Sequence, residues 1–293
     1  MSPDCSPLFP SRQTAKVTTL LAVGMALLAP AGLAFGQEAT NTPAATQPSV
    51  GKWYLRERVQ YIKLGDDPSP EDRDIDKIIA TTALTYGITR DLSTTLTLPL
   101  TLSFEDPAGS AGTDTEFGAG DASLSLKWRP FQWDLNPVDS VRLAFFAGVE
   151  TPTGTGDLGS HSWDPFGGVV FTSILGRHGF NQALSYKINT GGDDFNTVAG
   201  DGPDDALRYD TSFLFRLDPA EYAADTTAAT YLTLEFNGLY ETNGDDEILL
   251  GPGILYEART FALEASIGFP IVQDVDQRPE SDLVITLGFR ILF

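Results

Sequence analysis

The sequence predicts an all-β protein, a transmembrane up-and-down antiparallel β-barrel of about 12 strands. First, apolar residues recur at every second position after Lys52, as in "LSTTLTLPLTLSF" at 92–104. Second, the connections between such segments alternate between short turns and long loops. Third, no segment after the N-terminal region reaches the ~18 consecutive apolar residues of a spanning helix. A chain of this kind that enters a membrane does so as strands.

The N-terminal region has the pattern of a secretory signal. Arg12 and Lys16 precede the apolar run "VTTLLAVGMALLAPAGLAF", which ends in small residues. Cleavage fits after Ala34 or after Gly36, and we favour Gly36 over Ala34 and over a retained anchor. The expected organisation is therefore a signal peptide at 1–36, a flexible, Pro/Thr/Ala-rich lead-in at 37–51 and a barrel at 52–293.

Net charge and cysteine content limit which partners the protein can bind and how it is stabilised. The formal net charge of -21 argues against nucleic-acid partners, whose phosphates require basic surfaces. The single cysteine, Cys5, lies in the predicted signal, so disulfides cannot stabilise the exported chain.

Twelve segments alternate in this way, although "WDPFGGVVFTSIL" alternates poorly. They lie at 53–64, 75–88, 92–104, 117–128, 141–150, 163–175, 180–189, 206–217, 229–240, 247–258, 260–271 and 282–293. Their even number puts both chain termini on the short-turn side, which is expected to be periplasmic. Aromatic residues fall at both predicted strand ends, as membrane girdles do. Pro99 and Pro252 are expected to mark bulges or bends, because proline removes a ladder donor.

The sheet is expected to close into a barrel, because each backbone N–H or C=O group left unpaired at a sheet edge in lipid costs several kcal/mol. The first and last predicted strands must therefore pair. A soluble β-sandwich is the alternative architecture, but it would place long loops at both ends.

Three groups of residues resemble one family of outer-membrane proteins. They are Tyr86-Gly87-Ile88-Thr89 with Asp91-Leu92-Ser93, Gly118-x-Gly120-Asp121 leading into Leu124-x-Leu126-Lys127-Trp128-Arg129, and Gly148-Val149-Glu150-x-Pro152-Thr153-Gly154. In these motifs the chain is similar to the family labelled "MetA-pathway of phenol degradation". The resemblance implies a Gram-negative outer-membrane barrel that passes hydrophobic or aromatic compounds. It carries no catalytic residues.

The inward faces of the predicted strands carry charged side chains that are candidate lumen-lining residues. The set comprises Arg56, Arg58, Lys127, Arg142, Lys187, Arg208, Arg216, Glu235, Glu257, Glu264 and Arg290. Its basic majority faces an acidic patch, which would set a transverse field across an aqueous path. The alternative is that these charges pair and fill a narrow barrel, for example Glu264 with Arg290 on the adjacent strand.

Catalysis is not expected. The only histidines, His161 and His178, fall in connections on opposite sides of the predicted membrane. The loop "GSHSWD" holds Ser160, His161 and Asp164, but neighbouring residues rarely converge into a triad. No metal and no cofactor are predicted, because the acidic loops lack the ordered spacing of a calcium loop.

The last strand, "LVITLGFRILF", alternates and ends on an aromatic residue. The family resemblance implies that Phe289 and Phe293 form the signal that barrel-assembly machinery reads.

The predicted function is a passive pore or transporter for small organic compounds, including aromatic or hydrophobic ones, in the cell outer membrane. The alternative is a non-conducting structural or adhesive protein that works through its acidic extracellular loops. The expected partners are outer-membrane lipid and lipopolysaccharide, barrel-assembly machinery and a small-molecule solute.

Overall fold

The computed structural model describes residues 37–109, 112–194, 196–223 and 225–293. The predicted signal peptide at 1–36 lies outside these residues. The strands are β1 Trp53–Gly65, β2 Arg73–Gly87, β3 Leu92–Pro107, β4 Asp114–Ala119, β5 Ala122–Asp134, β6 Ser140–Thr151, β7 Asp164–Leu175, β8 His178–Lys187, β9 Ala206–Asp218, β10 Ala228–Glu241, β11 Asp246–Ala258, β12 Phe261–Asp274 and β13 Glu280–Leu292.

The strands form a closed antiparallel barrel. Apart from β4 and β5, each strand pairs with its neighbours in sequence, and β1 closes the sheet by pairing with β13, where Arg56 lies opposite Arg290. Both β4 and β5 pair with β3, so together they occupy the place of one strand. The predicted 12-strand barrel is thereby confirmed.

The division between β4 and β5 differs from the sequence pattern, which predicts one strand at 117–128. The cause lies in the loop after β6. Thr155 N donates to Ala119 O at 2.8 Å, and Ala122 N donates to Thr153 Oγ1 at 2.8 Å. Pro99 faces the break, since it accepts from Gly120 N at 3.1 Å but has no N–H to return the bond.

The barrel has apolar side chains on its outside and polar side chains on its inside, the reverse of a soluble protein. On β3 the outward side chains of Leu96, Leu98 and Leu100 are 40%, 45% and 36% exposed, while the inward Ser93 and Ser103 are fully buried. An apolar outer face and a polar interior are what a barrel surrounded by lipid requires.

Connections of two kinds lie at the two ends. Short turns at 88–91 and 176–177 share one end with the longer connection at 219–227, and long loops such as 152–163 and 188–205 lie at the other. The chain reaches the short-turn end at Phe293, whose N–H and C=O both pair with Trp53, at 3.0 and 2.9 Å. No helix in the described part of the chain is long and apolar enough to span a membrane.

One carboxylate interrupts the apolar outer face. Glu57 of β1 lies opposite Phe289 of β13 and Thr82 of β2. Thr82 Oγ1 donates a hydrogen bond to Glu57 Oε2 at 2.9 Å. A carboxylate in hydrocarbon is costly, and the threonine hydroxyl offsets part of that cost.

Candidate functional site

The interior of the barrel is occupied by residues 37–50, here called the inner segment. Ala39, Thr40, Thr42, Ala44 and Ala45 of this segment are completely buried. Composition predicts a flexible lead-in at 37–51, whereas the structure has most of it inside the barrel and hydrogen-bonded to the wall. Its side chains are small, so its backbone approaches the wall closely and supplies most of the contacts.

The inner segment turns around one carboxylate of β10. Glu235, which is fully buried, accepts hydrogen bonds from the backbone N–H groups of Thr40 at 3.1 Å, Asn41 at 2.8 Å and Thr42 at 2.7 Å. The Thr42 hydroxyl donates a further bond at 2.9 Å. Consecutive amides around a carboxylate form an anion-binding nest, so Glu235 acts as a latch for the segment.

The carbonyl groups of the inner segment accept from cations of the wall. Arg56 Nη2 donates to Ala39 O at 3.0 Å and to Thr40 O at 2.7 Å. On β5, three strand places from β1, Lys127 Nζ donates to Ala44 O at 3.1 Å. A buried charge is tolerated when it is hydrogen-bonded, and here the segment provides the acceptors.

A network of four charges joins the segment to the wall. Glu38 of the segment lies 3.6 Å from Arg56 and 3.7 Å from Arg290, and it accepts from Tyr54 Oη at 3.2 Å. Glu264 of β12 pairs with Arg56 at 2.9 Å and also with Arg290. Two positive and two negative charges therefore balance, and one of the four belongs to the segment.

The inner segment reaches β1 across a glycine of β2. Gly51 N donates to Gly87 O at 2.8 Å, and Gly87 N donates to Lys52 O at 3.0 Å. A Cβ at position 87 would overlap Ser49 O and lie 2.8 Å from Pro48 O. Only glycine allows this close approach of two backbones.

Gly87→Ala is therefore expected to displace the segment while leaving the barrel intact. The readout is maleimide labelling of a cysteine introduced by Thr46→Cys at a partly buried position of the segment. The only natural cysteine, Cys5, lies in the predicted signal peptide, so the label reports this position alone. We expect labelling about tenfold faster or more, since overpacking costs about 1–3 kcal/mol. Gly268→Ala is the control, because its Cβ would meet nothing closer than 3.6 Å. Equal labelling in both variants would contradict the packing argument.

The long-loop end of the barrel is covered by residues 188–194 and 196–205, here called the outer loop. Arg208 Nη2 donates to Ala199 O at 2.6 Å, and Lys187 pairs with Asp201 and, at 3.4 Å, with Glu150. Gly200 N donates to Glu241 Oε1 at 3.1 Å. Beside it lies a cavity of about 190 Å³, lined by Asn196, Glu241 and Arg278 among others.

The predicted lumen residues fall into three groups. Those that donate to or accept from the inner segment are Arg56, Arg58, Lys127, Glu235 and Arg290. Glu264 reaches the segment through the two arginines, and its predicted pairing with Arg290 is present. Lys187 and Arg208 contact the outer loop.

Three predicted lumen residues form no hydrogen bond or ion pair with the described residues of the inner segment or of the outer loop. Arg216 donates to Pro219 O at 3.0 Å and stacks 3.9 Å from the centre of the Tyr222 ring, at the short-turn end. Arg142 Nε and Glu257 Oε1 are buried without a hydrogen-bond partner among the described residues.

Sequence reasoning missed Glu38, Tyr54 and the amides of 40–42, which complete the site. Lys77 was also missed, and its ammonium donates to Thr197 of the outer loop. The sequence does indicate that Lys77 faces inward. It lies two residues from Ile75 and from Ile79, and residues at that spacing share one face of a strand. The segment itself has no periodic pattern that could have revealed its position.

Within the described residues, neither histidine side chain forms a hydrogen bond with the inner segment. His161 Nε2 contacts Gly156 O at 2.8 Å in the loop before β7, and His178 opens β8 at the other end of the barrel. Ser160 donates to Asp121 and Asp164, at 3.0 and 2.7 Å. These contacts hold the loop against the barrel rim.

The closed barrel, with its apolar outer face and polar interior, has the architecture of outer-membrane β-barrel proteins. Its structure is similar to that of an outer membrane channel from Pseudomonas putida, with a TM-score of 0.57 and 14% identity, covering 85% of this chain and 98% of that chain. At this identity the likeness shows a shared fold.

Two further similar structures are the beta domain of the Bordetella autotransporter BrkA and the CymD monoaromatic hydrocarbon channel. The first has a TM-score of 0.47 and 12% identity over 84% of this chain and 100% of that chain. The second has a TM-score of 0.42 and 9% identity over 84% and 89%. No family model matches the sequence, and no curated protein matches it. The resemblance to the MetA-pathway family therefore stays a prediction.

Proposed function

We propose that the protein is a channel of the Gram-negative outer membrane whose lumen is closed by its own inner segment. The observation that carries the proposal is the latch, in which three successive amides and one hydroxyl of the segment bind Glu235. The segment is joined covalently only to β1, and hydrogen bonds and ion pairs hold the rest of it against the wall, so it can leave the lumen and return. A closed and an open state are thus available to one barrel.

The chemistry of the proposed cargo follows from the lumen and from the family resemblance. Small organic solutes suit a lumen that is narrow and mostly polar. The preference for aromatic or hydrophobic compounds rests on the resemblance to the MetA-pathway family alone. Outer-membrane lipid, lipopolysaccharide and barrel-assembly machinery are the proposed partners, with Phe289 and Phe293 as the assembly signal.

Replacing Glu235 by Gln is expected to favour the open state. The amide cannot accept all four hydrogen bonds, and bonds to a charged acceptor contribute about 1.5–3 kcal/mol each. A net loss of about 2–3 kcal/mol corresponds to about a 30- to 150-fold shift towards the open state. The measurement is single-channel recording in planar bilayers, read as the fraction of time spent in the higher-conductance level.

Glu257→Gln is the matched control, since it removes a buried lumen carboxylate that does not bind the segment. It is expected to leave the open fraction close to that of the natural protein. Liposome swelling by small solutes separates the channel from the alternative, a non-conducting surface protein. Inert liposomes with both natural protein and Glu235→Gln, in correctly folded barrels, would refute the channel.

A further inference from the structure

A groove of about 500 Å³ runs across the outer face of the barrel, on strands β7 to β11. It is apolar, and its exposed lining includes Phe213, Phe215 and Leu232. The groove is separate from the lumen, because these side chains point away from the interior of the barrel.

The groove follows two rows of side chains that cross the strands. The upper row pairs Ser173 with Phe180, Phe180 with Phe213, Phe213 with Leu234, and Leu234 with Pro252. Five strands about 4.8 Å apart give this row a length of ~19 Å. Ser173 is the smallest side chain in the row, so a large side chain at this position would fill part of the groove.

The lower row begins at the short-turn end, beside Arg177 of the turn. It pairs Leu175 with His178, His178 with Phe215, and Phe215 with Leu232. Arg177, next to His178 in the turn, places its guanidinium 4.6 Å from the centre of the Phe215 ring.

The orientation of Arg177 is fixed by the backbone of β9. Its Nε donates to Arg216 O and its Nη2 to Leu217 O, both at 2.8 Å. Within the described ranges, no carboxylate forms an ion pair with Arg177, and its Nη1 has no protein acceptor. A guanidinium held in place with an open donor suits a phosphate group.

We propose that this groove binds one phospholipid of the periplasmic leaflet, with an acyl chain between the two rows and the phosphate at Arg177 and His178. The proposal rests on the membrane location in the proposed function, but not on conduction. Charge complementarity selects this occupant, because a narrow apolar groove ending in an unpaired cation matches an amphiphile with an anionic head. The groove opens at the short-turn end, where phospholipid is expected, and not at the long-loop end that faces lipopolysaccharide.

The test is native mass spectrometry of the full mature protein, purified in detergent and supplied with palmitoyl-oleoyl phosphatidylglycerol. We expect one phospholipid to be retained per barrel. Arg177→Gln should lower retention at least tenfold, and Ser173→Trp, which fills the groove, should abolish it. Arg259→Gln is the matched control, because Arg259 lies in another turn at the same end and donates to Thr226 O at 3.0 Å.

Equal retention in all of these variants would overturn the proposal, since the lipid would then be non-specific. Equal retention of a chain-matched neutral diacylglycerol would overturn the role of Arg177. Stronger retention of lipopolysaccharide than of the phospholipid would overturn the choice of leaflet. Heat-modifiable migration verifies folding of each variant, and planar-bilayer conductance is recorded separately. A barrel that retains phospholipid but does not conduct would therefore refute only the channel.

Discussion

Deletion of residues 38–48 is expected to convert the barrel into a permanently open pore with several-fold higher conductance. Barrels of eight strands are filled by their own side chains, whereas those of 16–18 strands enclose water. A barrel of intermediate size, once emptied of this stretch of backbone, is expected to hold a continuous aqueous path. Single-channel recording should show one steady level without closures to the natural level.

The same deletion should also change ion selectivity. Without Glu38, the cations Arg56 and Arg290 retain one ion-pair partner among the described residues, Glu264. The lumen gains positive charge at that level. The reversal potential in a salt gradient should therefore shift towards the value expected of an anion-selective pore.

A synthetic peptide with the sequence 37–51, added on the short-turn side, should restore closure, and a scrambled peptide should not. Residues 49–51 stay in the deletion variant so that the contact with Gly87 is kept. Unchanged conductance in a folded deletion variant would show that the inner segment is not the closure.

Arg290→Met is expected to lower the free energy of unfolding by about 3–5 kcal/mol, the usual effect of breaking a buried ion pair. Arg290 is 1% exposed and contacts Glu264, Glu38 and the carbonyl oxygens of Glu38 and Ala39. Its removal leaves two carboxylates facing Arg56 alone. Urea unfolding of the protein in lipid vesicles gives the free energy directly.

Two further variants test this assignment. Arg142→Met removes a lumen arginine that forms no ion pair within the described residues, and its effect should be much smaller. Arg290→Met combined with Glu264→Leu removes both members of the wall pair and should recover most of the loss, since apolar replacement of a buried pair is often neutral. Equal destabilisation by Arg290→Met and Arg142→Met would contradict the network.

The barrel could be predicted because its determinants are local. Alternation of Leu96, Leu98 and Leu100 with threonines reports a lipid face and a polar face within one strand, and adjacent strands pair in chain order. The pairing of Glu264 with Arg290 was accessible for the same reason, since neighbouring strands bring them together.

The inner segment could not be predicted because its contacts depend on the backbone and span the whole chain. Thr40 N binds Glu235 from 195 positions away, and Asn41 reaches Thr286 across 245. Backbone amides and carbonyls are present in every sequence, so nothing in "QEATNTPAATQPSV" distinguishes a segment inside a barrel from a flexible one. The break between β4 and β5 was hidden likewise, because it depends on the main chain of the loop after β6.

The covalent connection of the inner segment to β1 through Gly51 makes it a ligand that cannot diffuse away. A short tether gives an effective concentration in the millimolar range. The segment therefore needs only modest intrinsic affinity to occupy the lumen most of the time, and it rebinds rapidly after each release. A solute competing for the same space would have to reach comparable local concentrations, so the tether length itself sets the threshold at which the barrel opens.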